Sequence, residues 1–255
     1  MTRPPLRPWI ALAQPRPDSR LRLFCLPFAG GGASVFRGWV DTFPDGVDVL
    51  PVQLPGRESR FGEPPYLSLD RLLPDLMAAL EPLLDRPFAF FGYSLGALIA
   101  YELTHLLKDT RGIEPARLLV AAHRAPDLPR LSVELHRLPS DQFWDWIGQY
   151  NGTSHAVMNE PEMRQILEPI LRADFSIAET YRHQPRPPLS CPVSAFGGER
   201  DSVIPPDQIA AWKRLSRGRF DLSLIDGDHF FLFRHAEALR RMVVQRLTAD
   251  LAVSA

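Results

Sequence analysis

The fold is decided by one stretch of the sequence, Pro87-Phe88-Ala89-Phe90-Phe91 followed by Gly92-Tyr93-Ser94-Leu95-Gly96 and Ala97-Leu98-Ile99-Ala100-Tyr101-Glu102-Leu103. The central five residues match the pattern G-x-S-x-G, which on its own arises by chance in glycine-bearing loops. Here an apolar, β-rich run precedes it and an apolar helical run follows, so a buried strand turns sharply into a helix. Such a turn strains the serine backbone, and the glycines remove side chains that would clash. The stretch predicts a nucleophile elbow with Ser94 as nucleophile.

The rest of the chain alternates between strand and helix patterns. Apolar runs predict six strands, at Leu21 to Leu26, Val47 to Val52, Phe88 to Phe91, Leu118 to Ala122, Val193 to Phe196 and Phe220 to Ile225. Helical patterns occur at roughly residues 34–42, 68–84, 95–108, 206–216 and 235–251. This rhythm is typical of a mostly parallel sheet with right-handed crossovers. It predicts one doubly wound α/β domain over residues 1–255.

The rhythm breaks once, between Pro126 and Ser190. Three helical patterns follow one another there, at Ser140 to Tyr150, Pro161 to Leu171 and Ala173 to Tyr181. We interpret residues 127–190 as a helical lid inserted into the sheet domain, because about sixty residues this rich in aromatics need a main body to cover them. A second independent domain is the alternative. An apolar cover over the active site is expected from Phe143, Trp144, Trp146, Ile147 and Tyr150, although each of these aromatics could equally pack the lid onto the body.

The composition excludes several classes of function. A net charge of -1 and a pI of about 6.7 give no field that would hold nucleic acid or an anionic membrane. The apolar run from Trp9 to Ala13 is too short for a signal peptide, and no stretch is long enough to span a bilayer. A cytoplasmic location without membrane association is therefore expected. Cys25 and Cys191 are far apart and adjoin apolar runs, which predicts buried, reduced thiols.

A serine nucleophile needs a histidine base, and the base needs an acid to orient it. In α/β-hydrolases the order along the chain is serine, acid, histidine. His229 follows the last predicted strand within a glycine-containing loop, whereas His235 lies inside the next helix pattern and is the weaker candidate. Asp201 follows the strand before it and is the predicted acid. Asp127, after the fourth strand, is the rival.

The tetrahedral intermediate of acyl transfer needs N–H donors that form an oxyanion hole. One donor is expected from the amide of Leu95. The other is expected from the loop after the first strand, at Ala29 or Phe28. The three glycines of that loop, Gly30 to Gly32, do not fit the spacing of a phosphate-binding loop. No metal and no organic cofactor is required by this chemistry.

The chain resembles the type II thioesterases that work in trans with polyketide synthases and nonribosomal peptide synthetases. The resemblance covers nearly the whole chain and rests on five motifs in the family's order: Leu26 to Gly31, Leu54 to Glu58, Phe90 to Ala97, Leu171 to Phe175 and Gly227 to Phe231. It implies hydrolysis of acyl groups from the phosphopantetheine arm of acyl- or peptidyl-carrier proteins, which clears stalled or mis-primed chains. It also implies Ser94, Asp201 and His229 as the catalytic triad, with a mobile lid over an acyl pocket.

Tyr93 and Leu95 depart from the family's pattern, which usually has His before the nucleophile and often Met after it. These departures bear on the shape of the acyl pocket. The candidate residues for the pocket or its lid are Phe28, Tyr93, Phe143, Trp144 and Ile147. Arg57 and Arg60 are candidates for contact with an acidic carrier surface or with the phosphate of the arm, and a solvated or structural ion pair is the alternative for both. A general carboxylesterase or lipase, and a catalytically silent binding protein, are the competing functions.

Overall fold

The computed structural model describes residues 9–129, 134–149 and 160–253. Six strands form one sheet: β1 (Leu21–Leu26), β2 (Val47–Pro51), β3 (Phe88–Tyr93), β4 (Arg117–Ala121), β5 (Val193–Gly198) and β6 (Phe220–Ile225). Their order in the sheet is β2-β1-β3-β4-β5-β6, and every neighbouring pair is parallel. All six predicted strands are confirmed, with ends that differ by at most two residues from the prediction.

The helices in the described ranges follow the predicted rhythm. They are α1 (Arg37–Val40), α2 (Leu69–Leu80), α3 (Leu95–Arg111), α4 (Ser140–Gln149), α5 (Pro161–Thr180), α6 (Pro206–Ala210), α7 (Phe231–Arg234) and α8 (Ala236–Val253). Short 3-10 turns occur at Ala33–Phe36, Glu58–Arg60, Glu81–Leu83, Leu135–Arg137 and Ala211–Leu215. None of the helices in these ranges is long and apolar enough to cross a membrane.

Apolar side chains alternate between the two faces of the sheet, as the two-residue period of a strand requires. In β1, Phe24 and Leu26 belong to the core on one face, whereas Leu23 and Cys25 belong to the core on the other. Helices α2 and α3 cover the first face, and α1 and α8 cover the second. Both faces are therefore buried, and the predicted doubly wound α/β fold is confirmed.

A helical insertion lies between β4 and β5. It contains α4 and α5, and its described residues form no strand. A small hydrophobic cluster belongs to this insertion, made of Leu135, Phe143, Trp144, Ile147 and Leu171. The predicted helix from Ser140 to Tyr150 is found as α4 up to Gln149, and Tyr150 lies outside the described residues.

The parallel arrangement brings the carboxyl ends of the strands to one edge of the sheet. Ser94 directly follows β3, Asp201 follows β5 and His229 follows β6. The glycine-rich loop at residues 27–32 follows β1, which is the neighbour of β3 in the sheet. In open α/β sheets this edge is where ligands bind, so the predicted site residues converge there.

Candidate active site

Ser94 lies in the tight turn that joins β3 to α3. Its backbone has φ 51° and ψ -116°, a positive-φ conformation that costs a non-glycine residue free energy. A Cβ on Gly92 would lie 2.3 Å from the carbonyl oxygen of Gly96, and one on Gly96 would lie 2.2 Å from that of Leu26. The Ser94 N–H donates to the carbonyl oxygen of Ala121 at 2.8 Å. The turn is therefore possible only with glycine at both positions, and it presents Ser94 at the carboxyl edge of the sheet.

Ser94, His229 and Asp201 form one chain of polar contacts. Nε2 of His229 lies 3.3 Å from Oγ of Ser94, and Nδ1 lies 2.8 Å from Oδ2 of Asp201. A carboxylate only accepts hydrogen bonds, so Nδ1 carries the proton in this arrangement. The lone pair of Nε2 then faces the serine hydroxyl and can take up its proton. His229 and Asp201 are only 3% and 4% exposed, which keeps competing water away from these contacts.

The carboxylate of Asp201 is held in place by its own loop. Its Oδ1 accepts hydrogen bonds from the N–H groups of Val203 at 2.8 Å and Ile204 at 2.9 Å. The second oxygen, Oδ2, is the one that faces His229. One oxygen therefore anchors the carboxylate while the other orients the imidazole ring, which is the role an acid needs to fill beside a histidine base.

Other carboxylates close to the site in sequence are paired elsewhere. Asp127, the rival acid, forms a two-contact ion pair with Arg214. Asp226, three residues before His229, pairs with Arg200 at the surface, where both side chains are more than 60% exposed (66% and 64%). The structure therefore brings Asp201 to His229 and directs Asp127 to a different partner.

Ala29 and Leu95, the predicted oxyanion-hole residues, line the same cavity as Ser94 and His229. Leu95 is the first residue of α3, so its N–H belongs to the first helical turn, which has no intrahelical acceptor. The positive end of the α3 dipole also favours negative charge at this point. The arrangement suits stabilisation of an oxyanion that forms next to the serine hydroxyl.

The cavity beside Ser94 has a volume of about 420 Å³. Its wall combines the loop after β1, the start of α3 and the helical insertion, and its apolar lining includes Phe28, Leu95, Leu98, Ile147, Leu171 and Phe175. Small-molecule sites usually occupy roughly 300–1,000 Å³ and are mainly apolar. The cavity can therefore hold an apolar chain next to the serine hydroxyl.

Not all of the predicted pocket residues line this cavity. Phe28 and Ile147 do, whereas Tyr93, Phe143 and Trp144 do not. Tyr93 ends β3 with its side chain in the core on the α8 face of the sheet, because side chains alternate along a strand. Phe143 and Trp144 are 0% and 1% exposed and form the core of the insertion. Tyr93 therefore does not line the pocket as predicted, whereas Phe143 and Trp144 belong to the insertion that is predicted as the lid and form its core instead of the cavity wall.

Helix α5 supplies a part of the cavity wall that the sequence pattern did not predict. The predicted helices Pro161 to Leu171 and Ala173 to Tyr181 are one continuous helix that ends at Thr180. Arg172, at the predicted break, pairs with Glu168 one turn earlier at 2.7 Å, so nothing interrupts the helix there. The cavity-lining side chains of α5 are Leu171, Asp174, Phe175, Ala178 and Glu179. Their spacing of three and four residues is the helical signal that identifies this face.

Arg57 and Arg60 both lie in ion pairs and are largely buried. The Arg57 side chain is 5% exposed, and its Nη1 lies 2.5 Å from Oδ2 of Asp174 in α5. Arg60 pairs with Glu63 at 2.5 Å, and its guanidinium lies 4.3 Å from the centre of the Trp9 ring. A buried, paired guanidinium is not available to an outside partner. The structural ion pair is therefore the alternative that the structure supports for both residues.

Neither cysteine belongs to the site. Cys25 and Cys191 are buried free thiols. Burial raises the pKa of the Cys25 thiol well above its usual value and that of Cys191 to about 12, so both stay protonated and unreactive near neutral pH. Across the described ranges, no group of three or more His, Cys, Asp or Glu side chains is placed to bind a metal ion.

Comparison with known proteins shows the family to which the chain belongs. A family model described as a thioesterase domain matches residues 21–247. The gramicidin S biosynthesis protein GrsT of Aneurinibacillus migulanus is 37% identical over 244 residues, which cover 96% of this chain and 95% of GrsT.

Two solved structures are similar over almost their whole length. RedJ, a thioesterase from the prodiginine biosynthetic pathway in Streptomyces coelicolor, has a TM-score of 0.85 at 36% identity, covering 92% of this chain and 95% of RedJ. The type II thioesterase BorB from the borrelidin biosynthetic cluster has a TM-score of 0.85 at 34% identity, covering 94% of this chain and 97% of BorB. The chain therefore belongs to the thioesterase domain family and is a thioester hydrolase with the α/β-hydrolase fold.

Proposed function

We propose that this chain is an editing thioesterase that hydrolyses acyl groups from the phosphopantetheine arm of acyl- or peptidyl-carrier proteins. Its role is to clear stalled or mis-primed chains in polyketide or nonribosomal peptide biosynthesis. The observation that carries the proposal is the contact chain Ser94-His229-Asp201, whose serine and histidine line an apolar cavity. The biosynthetic pathways named for GrsT, RedJ and BorB support the assignment of the carrier-bound thioester as substrate.

The proposed reaction runs in two halves through an acyl-enzyme. Ser94 Oγ attacks the thioester carbonyl carbon while His229 Nε2 takes the hydroxyl proton, and the oxyanion is held by the amides of Ala29 and Leu95. The carbon–sulfur bond then breaks, and the proton on His229 goes to the departing thiol. In the second half, His229 removes a proton from water, which attacks the acyl carbon. The bond from that carbon to Ser94 Oγ then breaks, His229 gives the proton to Oγ, and the free acid leaves. Asp201 stabilises the imidazolium in both halves.

We also propose that residues 1–255 form a single domain in which residues 127–190 act as a lid over the acyl pocket. The insertion contributes Ile147 of α4 and Leu171 and Phe175 of α5 to the cavity wall, which supports this role. A lid of this kind limits the access of water to the thioester. A cytoplasmic location is proposed with it, and the two buried free thiols agree with a reducing compartment.

The test is hydrolysis of an acyl group from a loaded carrier protein by the Ser94→Ala variant. The expected loss of kcat is about 10⁶-fold, the size found when a protease serine nucleophile is removed. Ser223→Ala, on the edge strand β6, is the matched control and should keep wild-type activity, because among the described residues the Ser223 hydroxyl has only a long contact of 3.4 Å with Arg246. Equal hydrolysis by Ser94→Ala and wild type would rule out the assignment.

A second measurement separates this function from that of a general carboxylesterase. The ratio of kcat/KM for an acyl-carrier thioester to that for the matching free oxyester should be well above one. A ratio below one would favour the esterase. A fluorophosphonate probe should label Ser94 in either case, and a protein that only binds its partner would not be labelled.

A further inference from the structure

We propose that Asp174 is a positioning residue that sets the shape of the loop after β1, residues 27–32, here called the oxyanion loop, with Arg57 holding the Asp174 carboxylate in place. This inference rests on the proposed assignment of Ala29 to the oxyanion hole. Oδ2 of Asp174 accepts a hydrogen bond of 2.7 Å from the N–H of Gly30. That N–H belongs to the planar peptide group between Ala29 and Gly30. A hydrogen bond that fixes the orientation of this group therefore also restricts the backbone conformation of Ala29.

The carboxylate of Asp174 is fully engaged. Arg57 donates from Nη1 to Oδ2 at 2.5 Å and from Nη2 to Oδ1 at 2.9 Å. This bidentate geometry is the strongest for a guanidinium and a carboxylate. The Asp174 side chain is only 1% exposed. A charge this deeply buried is costly unless every oxygen has partners, so the carboxylate has little freedom to move away from Gly30.

Arg57 also contacts the oxyanion loop itself. Its Nη1 lies 3.4 Å from the carbonyl oxygen of Gly31, and its Nε donates to the carbonyl oxygen of Pro55 at 3.2 Å. The ion pair therefore contacts the loop at two points, the N–H of Gly30 and the carbonyl oxygen of Gly31. These two groups flank the peptide bond between Gly30 and Gly31. This double contact resists rotation of the peptide groups next to Ala29.

The packing between the loop and α5 is equally close. Gly30 has φ +79°, and a Cβ there would lie 2.6 Å from Cδ2 of Leu171 in α5. The α5 segment that makes these contacts has Ile170, Leu171, Ala173, Asp174 and Ile177 buried. This half of α5 therefore packs directly against the oxyanion loop, and it also forms one wall of the cavity.

Two double variants isolate the hydrogen bond to Gly30. Arg57→Met with Asp174→Leu removes both charges and leaves the Gly30 N–H without this acceptor. Arg57→Met with Asp174→Asn also removes both charges but retains a carbonyl oxygen that can accept from Gly30. Replacement of a buried ion pair by apolar residues of similar size is often neutral for stability. The two variants should therefore differ mainly in the position of the loop.

We expect the leucine variant to lose about 10- to 100-fold in kcat with KM changed less than about threefold, since removal of one oxyanion donor costs about 10²–10³. The asparagine variant lacks the contacts of Arg57 but keeps an acceptor for the N–H of Gly30, so its kcat should stay about tenfold or more above that of the leucine variant. Wild-type kcat in a folded leucine variant would overturn the proposal, and so would equal losses in both variants. If the leucine variant does not fold, Asp174→Ala in the Arg57→Met background provides the same comparison.

Labelling of Ser94 by a fluorophosphonate gives a readout that is independent of the thioester substrate. Ser94 Oγ attacks phosphorus while His229 takes the hydroxyl proton, the phosphorus–fluorine bond breaks and fluoride leaves, and the phosphoryl oxygen takes the place of the oxyanion. The labelling rate should fall by the same factor as kcat in the leucine variant. If wild type is labelled but does not hydrolyse carrier thioesters, the proposed function fails. The ratio of the labelling rates of wild type and the leucine variant then still tests the role of Asp174.

The control for this experiment is a buried ion pair at the opposite edge of the sheet. Arg117 begins β4 and pairs with Asp221 of β6 at 3.1 Å, with side-chain exposures of 2% and 12%. Arg117→Met with Asp221→Leu should change stability without changing kcat or the labelling rate. A loss of kcat in this control as large as in the leucine variant would show that any lost buried pair has the same effect.

Discussion

The hydroxyl of Tyr93 donates a hydrogen bond of 2.6 Å to the backbone carbonyl oxygen of His229, from the face of the sheet opposite α3. The same hydroxyl accepts from the N–H of Leu232 at 3.3 Å. Burial raises the pKa of Tyr93 well above its usual value, so the phenol stays protonated and remains a donor. The residue next to the nucleophile thus also holds the loop that carries the histidine.

Tyr93→Phe should lower both stability and kcat. The change leaves the carbonyl of His229 and the N–H of Leu232 without this partner in a buried place, at a cost of about 1–3 kcal/mol. It also removes a hydrogen bond that holds the His229 loop, so we expect kcat to fall by about tenfold, which is less than the roughly 10²-fold that a displacement of about 1 Å can cost. The measurements are chemical denaturation and thioester hydrolysis.

Tyr66→Phe is the matched control for Tyr93→Phe. The Tyr66 hydroxyl donates to Asp75 at the exposed surface, away from the site. This variant should keep wild-type kcat and lose less than about 1 kcal/mol of stability. Wild-type kcat in Tyr93→Phe would show that the contact with His229 has no part in positioning it.

Asp201→Asn and Asp127→Asn test which carboxylate serves as the acid. In Asp201→Asn, the amide can donate to Nδ1 of His229, which favours the wrong tautomer and should lower kcat by about 10⁴-fold. Asp127→Asn disrupts an ion pair with Arg214, whose side chain is 48% exposed, so stability should change by less than about 1 kcal/mol and kcat should not change. The reverse order of effects in the thioesterase assay would make Asp127 the acid.

Gly96→Ala should destroy the elbow. The added Cβ would lie 2.2 Å from the carbonyl oxygen of Leu26 and 2.7 Å from that of Pro27, and backbone atoms cannot move aside cheaply. We expect a loss of more than about 3 kcal/mol in the free energy of unfolding, together with loss of Ser94 labelling. Gly38→Ala is the control, because no atom of the described residues lies within 4 Å of a Cβ at that position. A native-like melting temperature for Gly96→Ala would contradict this account of the turn.

His105 should make the protein less stable as the pH falls below 6.5. It is 2% exposed, and its Nε2 has no hydrogen-bond partner among the described residues. Burial lowers its pKa from the ordinary 6.5 to about 4, with the charge of Arg186 acting in the same direction. The unfolded chain therefore takes up this proton first on acidification. Between pH 8 and pH 5 the free energy of unfolding should fall by about 2 kcal/mol from this residue alone.

His105→Phe should remove that part of the pH dependence. Phenylalanine fills a similar volume against Tyr101, whose ring centre lies 4.7 Å from that of His105, and it has no proton to gain. Denaturant unfolding of both proteins from pH 8 to pH 5 provides the measurement. Parallel stability curves for wild type and variant would mean that His105 does not contribute to the pH dependence.

Local patterns in the chain were enough to predict the sheet, the elbow and the three residues that converge on it. The physical reason is that Ser94, Asp201 and His229 each follow a strand, and parallel strands present their carboxyl ends at one edge. The strand patterns, together with the order of serine, aspartate and histidine along the chain, therefore predict which loops come together. The elbow is equally local, because its two glycines and its strained serine lie within five residues.

The wall of the pocket and the support of the oxyanion loop depend on how distant elements pack. Arg57 and Asp174 are 117 residues apart, and they pair only because α5 packs against the segment after β2, which carries Arg57, as well as against the loop after β1. The orientation of Tyr93 is set by the pleat of β3 within a sheet that is buried on both faces, so an aromatic next to the nucleophile supports His229 instead of lining the cavity. Helix and strand patterns show which residues share a face, but only the packed structure decides what that face contacts.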